Sequence, residues 1–344
     1  MAPGHAALPH PGEQLLLPRV GVHRDGAERL PEVRRARRLT LAGADPSVRY
    51  SAAVLHPAST GTTSSPRVGI VLGGGGKWGA VEVGMLRALA EHGVVPDLVV
   101  GCSIGAVNGA WFAADPTIAG MQALQTFWET RASSVIADAT VLDRVRSFIG
   151  RRSSLFSSDG LRDALAALPN RRFADLAVEF HCVAACIEDA SEHWFTEGPL
   201  VDALLASCAI PGLLPPVALN GRHYYDGGLV NSIPLDRAVA MGCTEVYVLQ
   251  VGRIEQALPV PTRLHQAPLV AFEIARRHRF ATYLAGIGDD IDVHVLPSGH
   301  RLAMDDRRQL AWRSMDDTGD LIRAAHEATS VYLDTVRAGK EAVE

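Results

Sequence analysis

The sequence predicts an α/β fold built on a parallel sheet with crossover helices, and three observations lead there. The apolar runs at 68–72 and 98–100 lack the polar alternation of a half-exposed strand, as expected of strands covered on both faces. Each run ends in a glycine-containing turn, and each turn leads into a helical pattern. Strand, turn, helix, strand and helix therefore follow one another between Val68 and Ala114, which is the connection a parallel pair requires.

Taken in order, the run Val68-Gly69-Ile70-Val71-Leu72 is the first buried strand. The glycines at 73–76 follow it, then a helix over 80–92 that Gly93 can terminate. Asp97-Leu98-Val99-Val100 is the end of the second strand, and the small residues from Ala106 onward form a helix suited to close packing on a sheet. Further helices are expected at 118–131, 159–167, 200–207 and 235–241, and strands at 177–184, 245–251 and 292–296. The helical stretch 268–284 carries Arg276, Arg277 and Arg279 and reads as a solvated face. The amphipathic stretch 317–336 reads as a helix covering the sheet, not as a membrane anchor.

A chain of 344 residues, 47% apolar and 21% charged, has the material for a substantial core over 66–344. Residues 1–65 differ: scattered Pro and Gly, arginines at 34, 35, 37 and 38, and a Ser/Thr-rich ending read as a partly ordered extension and linker. A sharper reading makes those arginines a docking patch for anionic lipid or another protein. A formal charge of −5 offers no basic field for nucleic acid, so no nucleic-acid partner is expected. The five cysteines, at 102, 182, 186, 208 and 243, show no CxxC spacing and read as small buried hydrophobes in a reduced, cytoplasmic setting. No secretory signal pattern opens the chain, and no apolar run reaches the ~18 residues of a membrane span.

The second turn carries the chemistry. In Gly101-Cys102-Ser103-Ile104-Gly105 the serine sits where strand becomes helix, and glycines two residues to either side remove side chains that would collide with neighbouring backbone. Ser103 is pushed outward as a nucleophile would be; the plainer reading is an ordinary tight turn. The loop Gly73-Gly74-Gly75-Gly76-Lys77-Trp78-Gly79 exposes several N–H groups toward one point, suited to a phosphate or to the oxygen that becomes negative in acyl transfer. A Walker loop is excluded by Val71 and Trp78. Gly74, Gly76 and Gly79 satisfy a dinucleotide fingerprint, but Asp97 lies at the wrong end of the second strand for a ribose. An oxyanion site opposite Ser103 accounts for both glycine features, and tight helix–sheet packing is the structural alternative.

A serine needs a base, and Asp226 is available in Tyr224-Tyr225-Asp226-Gly227-Gly228. An aspartate beside glycines is commonly a turn residue. Beside Ser103 it completes a Ser–Asp dyad.

Several ordered blocks together resemble the patatin-like phospholipase family, bacterial branch, over about residues 67–300. They are the loop 73–79, Glu82-Val83-Gly84-Met85-Leu86, Gly101-Cys102-Ser103-Ile104-Gly105-Ala106, Ala206-Ser207-Cys208-Ala209-Ile210-Pro211, Pro215-Pro216-Val217, and Asp226-Gly227-Gly228 with Asn231 and Pro234. The resemblance implies a three-layer α/β/α sandwich and a catalytic domain over 66–344 that hydrolyses acyl esters of lipids without a catalytic histidine or cofactor. It makes Ser103 the nucleophile, Asp226 the base, Gly101 and Gly105 the elbow glycines, and Gly74, Gly75 and Gly76 the oxyanion donors. Such a hydrolase would meet lipid through peripheral membrane contact. The chain departs from the family where a basic residue usually precedes the last loop glycine: Trp78 stands there, with Lys77 before it, and both become candidates to line the substrate site.

Two other readings follow from the same residues. The order Ser…Asp…His of an α/β-hydrolase triad is met by Ser103, Asp226 and any of His265, His294 or His300. A non-catalytic lipid- or protein-binding module retaining the fold is the other. His181 with Cys182 inside an apolar run reads as a paired core histidine, not half a metal site. Trp111, Phe112, Phe127 and Trp128 are placed to face either the core or an acyl chain.

Overall fold

A computed structural model describes residues 66–130, 154, 157–251, 257–264, 266–299 and 317–341, all within the larger of two compact units, Leu39–Glu344. The extension 1–65 and its arginine patch lie outside the described residues. In chain order the strands are β1 (Val68–Leu72), β2 (Leu98–Cys102), β3 (Glu179–Cys186), β4 (Ser191–Phe195), β5 (Val217–Leu219), β6 (Arg222–Asp226), β7 (Glu245–Leu249) and β8 (Asp292–Val295). The helices are α1 (Ala80–Glu91), α2 (Ile104–Ala114), α3 (Ile118–Thr130), α4 (Asp159–Leu165), α5 (Leu200–Ser207), α6 (Leu235–Ala240), α7 (Gln266–Ala285) and α8 (Thr318–Glu341).

The eight strands make one sheet whose parallel centre runs β3-β2-β1-β7-β8. Strand alternation divides the core in two. Ile70, Leu72, Val99, Tyr247 and Leu249 face one way, into a cluster with residues of α1, α2, α3 and α8. Val71, Val100, Val246 and Val248 face the other, toward Leu235 and Ala238 of α6 and Phe280 of α7. The fold is therefore a three-layer α/β/α sandwich. Each fully buried Val, Leu or Ile contributes about 1.5–3 kcal/mol relative to exposure.

Three antiparallel strands, β4, β5 and β6, were not anticipated. β3 carries β4 on one edge, pairing Cys182 with Phe195 and Cys186 with Ser191. On its other edge it is shared end to end. β2 runs parallel to it as far as Cys102 opposite Val183, and β6 runs antiparallel and ends with Asp226 opposite Ala184. The carboxyl tips of β2 and β6 thus meet along one edge of β3.

The C-terminal helix packs closely on α1, where a Cβ on Gly84 would stand 2.1 Å from the Ile322 carbonyl oxygen, and its Leu321, Ile322 and Ala325 share one core cluster with Ile70 and Leu72 of the sheet. Among the described residues no helix is long and apolar enough to cross a membrane.

Candidate active site

Ser103 follows β2 directly and caps α2 with φ 53° and ψ −126°. A non-glycine residue in that region costs about 1–3 kcal/mol and persists only where its surroundings over-determine it. They do so here. A Cβ on Gly101 would lie 2.5 Å from Ala106 Cα, and one on Gly105 would lie 2.6 Å from the carbonyl oxygens of Leu72 and Gly73. The Ser103 N–H donates to Ser207 Oγ of α5 at 2.9 Å, and the Ser103 carbonyl accepts from Ala106 N–H in the first turn of α2.

Asp226 ends β6 and caps the 3-10 turn Gly227–Leu229, so it is a strand residue aimed by the sheet and not a free turn residue. Ser103 Oγ donates to Asp226 Oδ2 at 2.6 Å, and the Gly228 N–H donates to Oδ1 at 2.7 Å. Both residues are 6% exposed. Burial pushes the Asp226 carboxyl up to about 6, although the bonds from Ser103 and Gly228 pull the other way. That value suits a proton acceptor working near neutrality. The thiols of Cys102 and Cys208, buried beside the pair, are pushed well above the usual range by desolvation and stay protonated. All five cysteines are free and buried.

The glycine loop lies against the serine, since a Cβ on Gly74 would be 3.4 Å from Ser103 Cβ. Its donors are not equivalent. The Gly74 N–H already donates to the Ser232 carbonyl at 2.9 Å, and the Gly73 N–H to the Leu249 carbonyl at 2.9 Å. Gly74 therefore leaves the expected set of three oxyanion donors: its amide holds the loop in place. Among the described residues the N–H groups of Gly75 and Gly76 have no such partner. Gly76, the first residue of the 3-10 turn Gly76–Gly79, sits at φ 59°. Lys77 is 4% exposed with its ammonium 4.8 Å above the Trp78 ring, and Trp78 packs on the main core.

Arg276 corrects the sequence reading of α7. It is 5% exposed, not solvated, and its Nη1 donates to the Gly74 carbonyl at 3.1 Å. Nε lies 3.4 Å from Glu273, and Nη2 has no hydrogen-bond partner among the described residues. Helical spacing held the signal, because Arg276 shares a face with buried Phe280 one turn on. Ser207 and Ser232 were also missed as supports of the elbow and the loop; nothing in their types distinguishes them from ordinary small residues.

The remaining candidates lie elsewhere. His294 on β8 pairs with Tyr247, Tyr247 with Ile70 and Ile70 with Val99. That register puts it three strand spacings, about 14 Å, to the side of β2 and about 13 Å of strand short of Ser103. Its Nδ1 lies 3.1 Å from the Tyr332 hydroxyl. His265 and His300 lie outside the described residues. Asp97 exchanges hydrogen bonds with the Val68 backbone at the opposite end of the sheet from Ser103. His181 is a paired core residue, accepting from Arg237 Nε at 3.2 Å and facing Glu179 at 3.1 Å. Trp111, Phe112, Phe127 and Trp128 are buried in the main core.

Fold and site define a class: a three-layer α/β/α protein with a serine–aspartate pair and a glycine loop at the carboxyl ends of its parallel strands. Residues 70–239 match the family model described as "Patatin-like phospholipase", an interval that contains Ser103, Asp226 and the loop. The chain belongs to the patatin-like phospholipase family. It is 32% identical over 188 residues to "Patatin-like phospholipase domain-containing protein 7" of Rattus norvegicus, covering 54% of this chain and 14% of that protein. It is 27% identical over 214 residues to "Lysophospholipase NTE1" of Kluyveromyces lactis, covering 58% of this chain and 14% of that protein. The chain thus spans a small part of the relatives it matches. The crystal structure of VipD from Legionella pneumophila aligns at TM-score 0.42 and 14% identity over 79% of this chain and 67% of its own.

Proposed function

We propose that this protein is a serine acyl hydrolase that cleaves carboxylic esters of lipids through a Ser103–Asp226 dyad and an acyl-enzyme. The observation that carries the reading is the buried 2.6 Å bond from Ser103 Oγ to Asp226 Oδ2. Family membership supports the substrate class, and the name of the yeast relative makes lysophospholipids the first substrates to try.

In the first half-reaction Asp226 takes the hydroxyl proton as Ser103 Oγ forms a bond to the ester carbonyl carbon. The carbonyl oxygen becomes negative, with the Gly75 and Gly76 N–H groups as its donors. Collapse expels the alcohol, which takes the proton from Asp226, and leaves an acyl-serine. Water repeats the sequence: Asp226 accepts its proton, the oxyanion forms again, and the acid leaves as Ser103 recovers its hydrogen. Peripheral contact with membrane lipid and a cytoplasmic setting accompany this reading.

A fluorophosphonate probe tests it. The wild-type protein should gain the mass of one probe on Ser103, S103A should gain none, and D226N should react far more slowly. Hydrolysis of p-nitrophenyl esters and lysophospholipid should disappear with S103A and persist in H294F. Activity surviving in S103A would sink the proposal, and loss of activity in folded H294F would restore a histidine mechanism.

A further inference from the structure

We infer that Arg276 is a positioning residue for the oxyanion loop, fixing and polarising the Gly74–Gly75 peptide from the opposite side to the substrate. The inference rests on the acyl-hydrolase reading above and adds to it a specific role for α7.

The argument begins with the cost of burial. A guanidinium that is 5% exposed gives up its hydration, and such groups are retained where the charge is paired and its donors are used. Arg276 is only part satisfied. Glu273, one turn earlier on α7, stands 3.4 Å from Nε, and Nη1 bonds the Gly74 carbonyl, but Nε and Nη2 make no hydrogen bond among the described residues. A buried cation with so few partners is weak evidence for a purely stabilising role.

What Arg276 touches gives the reason. The Gly74 carbonyl belongs to the same planar unit as the Gly75 N–H, and in a trans peptide the two point in opposite directions. Gripping the carbonyl from α7 therefore fixes where the Gly75 N–H points. The other end of the Gly74 residue is fixed as well, by its N–H on the Ser232 carbonyl, so the peptide cannot rotate about either side. Glycine at 74 and 75 would otherwise leave the loop free to turn. A cation on a carbonyl oxygen also draws electron density from the amide, which makes its N–H a stronger donor to a developing negative charge. The benefit is greatest at the oxyanion, so it should be read in kcat more than in KM.

The test compares wild type with R276M, which keeps an aliphatic stem in the buried slot, and R276K, which keeps a cation. Folding is checked by circular dichroism, and the fraction of competent sites by fluorophosphonate titration. With p-nitrophenyl butyrate the expected order of kcat is wild type, R276K, R276M. R276M should fall about 100-fold, comparable to losing one oxyanion donor, with KM changed less than about threefold. Should R276M not fold, R276Q, which can still hydrogen-bond the loop but carries no charge, takes its place and should also fall below R276K. Wild-type kcat in the neutral variant, a loss confined to KM, or R276K falling level with the neutral variant would overturn the inference. S103A in parallel separates the two claims: if it is inert while R276M is fully active, only the role of Arg276 fails.

Discussion

Gly228 holds the oxygen of Asp226 that Ser103 does not use, its N–H donating to Oδ1 at 2.7 Å while Ser103 Oγ reaches Oδ2. The carboxylate is thereby fixed in plane with one face of its reactivity directed at the serine. It makes no bond to a histidine among the described residues, so its own ionisation sets the pH response.

The first prediction concerns that response. Burial holds the Asp226 pKa at about 6, and only the ionised form accepts the Ser103 proton. kcat/KM for a soluble ester should rise about tenfold per pH unit below 6 and level off above it. A pH–rate profile between 4.5 and 8 reads this, and a plateau continuing below pH 5 removes Asp226 as the base.

The second concerns stability. An acid whose pKa is raised in the fold binds a proton that the unfolded chain has already lost, so the fold loses stability as pH climbs from about 4 to about 6 and nothing further above. Ionising Asp226 in place costs about 3 kcal/mol relative to the unfolded chain. D226N escapes that cost. Its Tm should exceed that of wild type by several degrees at pH 7.5, and the gap should close near pH 4. Calorimetry at the two pH values checks the sign.

The third concerns the elbow glycines. At Gly101 the nearest obstacle is backbone of α2, and at Gly105 it is the end of β1, neither of which can move as a side-chain tip could. G101A and G105A should each cost about 3 kcal/mol or more, at the upper end of overpacking effects. Chemical denaturation gives the number, and a cost under 1 kcal/mol would mean the bend is looser than it looks.

The fourth concerns Ser207. Truncation to alanine leaves the buried Ser103 N–H without an acceptor, a loss of about 1–3 kcal/mol. Because that bond also sets the angle at which Oγ is presented, S207A should lower kcat more than KM. Fluorophosphonate labelling should slow in proportion, and unchanged labelling would leave Ser207 a purely structural role.

What could be read from the chain beforehand follows from how each element is buried. β1, β2 and β7 lie between two helical layers, and their unbroken apolar runs announced them. β6, with Arg222 and His223 exposed and Tyr224 and Asp226 buried, lies at the margin; its residues looked like a polar turn. Ser103 was visible because strand, bend and helix are contiguous around it. Asp226 was visible only as a residue type beside glycines, since its position depends on pairing with Ala184. Arg276 was hidden for the opposite reason: a charged side chain on a helix is ordinarily solvated, and its partner, the Gly74 carbonyl, is a backbone atom that no side-chain pattern records.

The junction of β2 and β6 on one edge of β3 also sets when the proposed dyad can form. The proton donor and its acceptor are separated by 123 positions, and no local structure can bring them together. A chain still being synthesised, with Ser103 emerged and β6 not yet made, holds a hydroxyl with nothing to receive its hydrogen. On the proposed mechanism, hydrolytic competence requires the sixth strand in its place beside β3. On that same reading, a fragment ending before β6 carries the serine without its base and cleaves no ester.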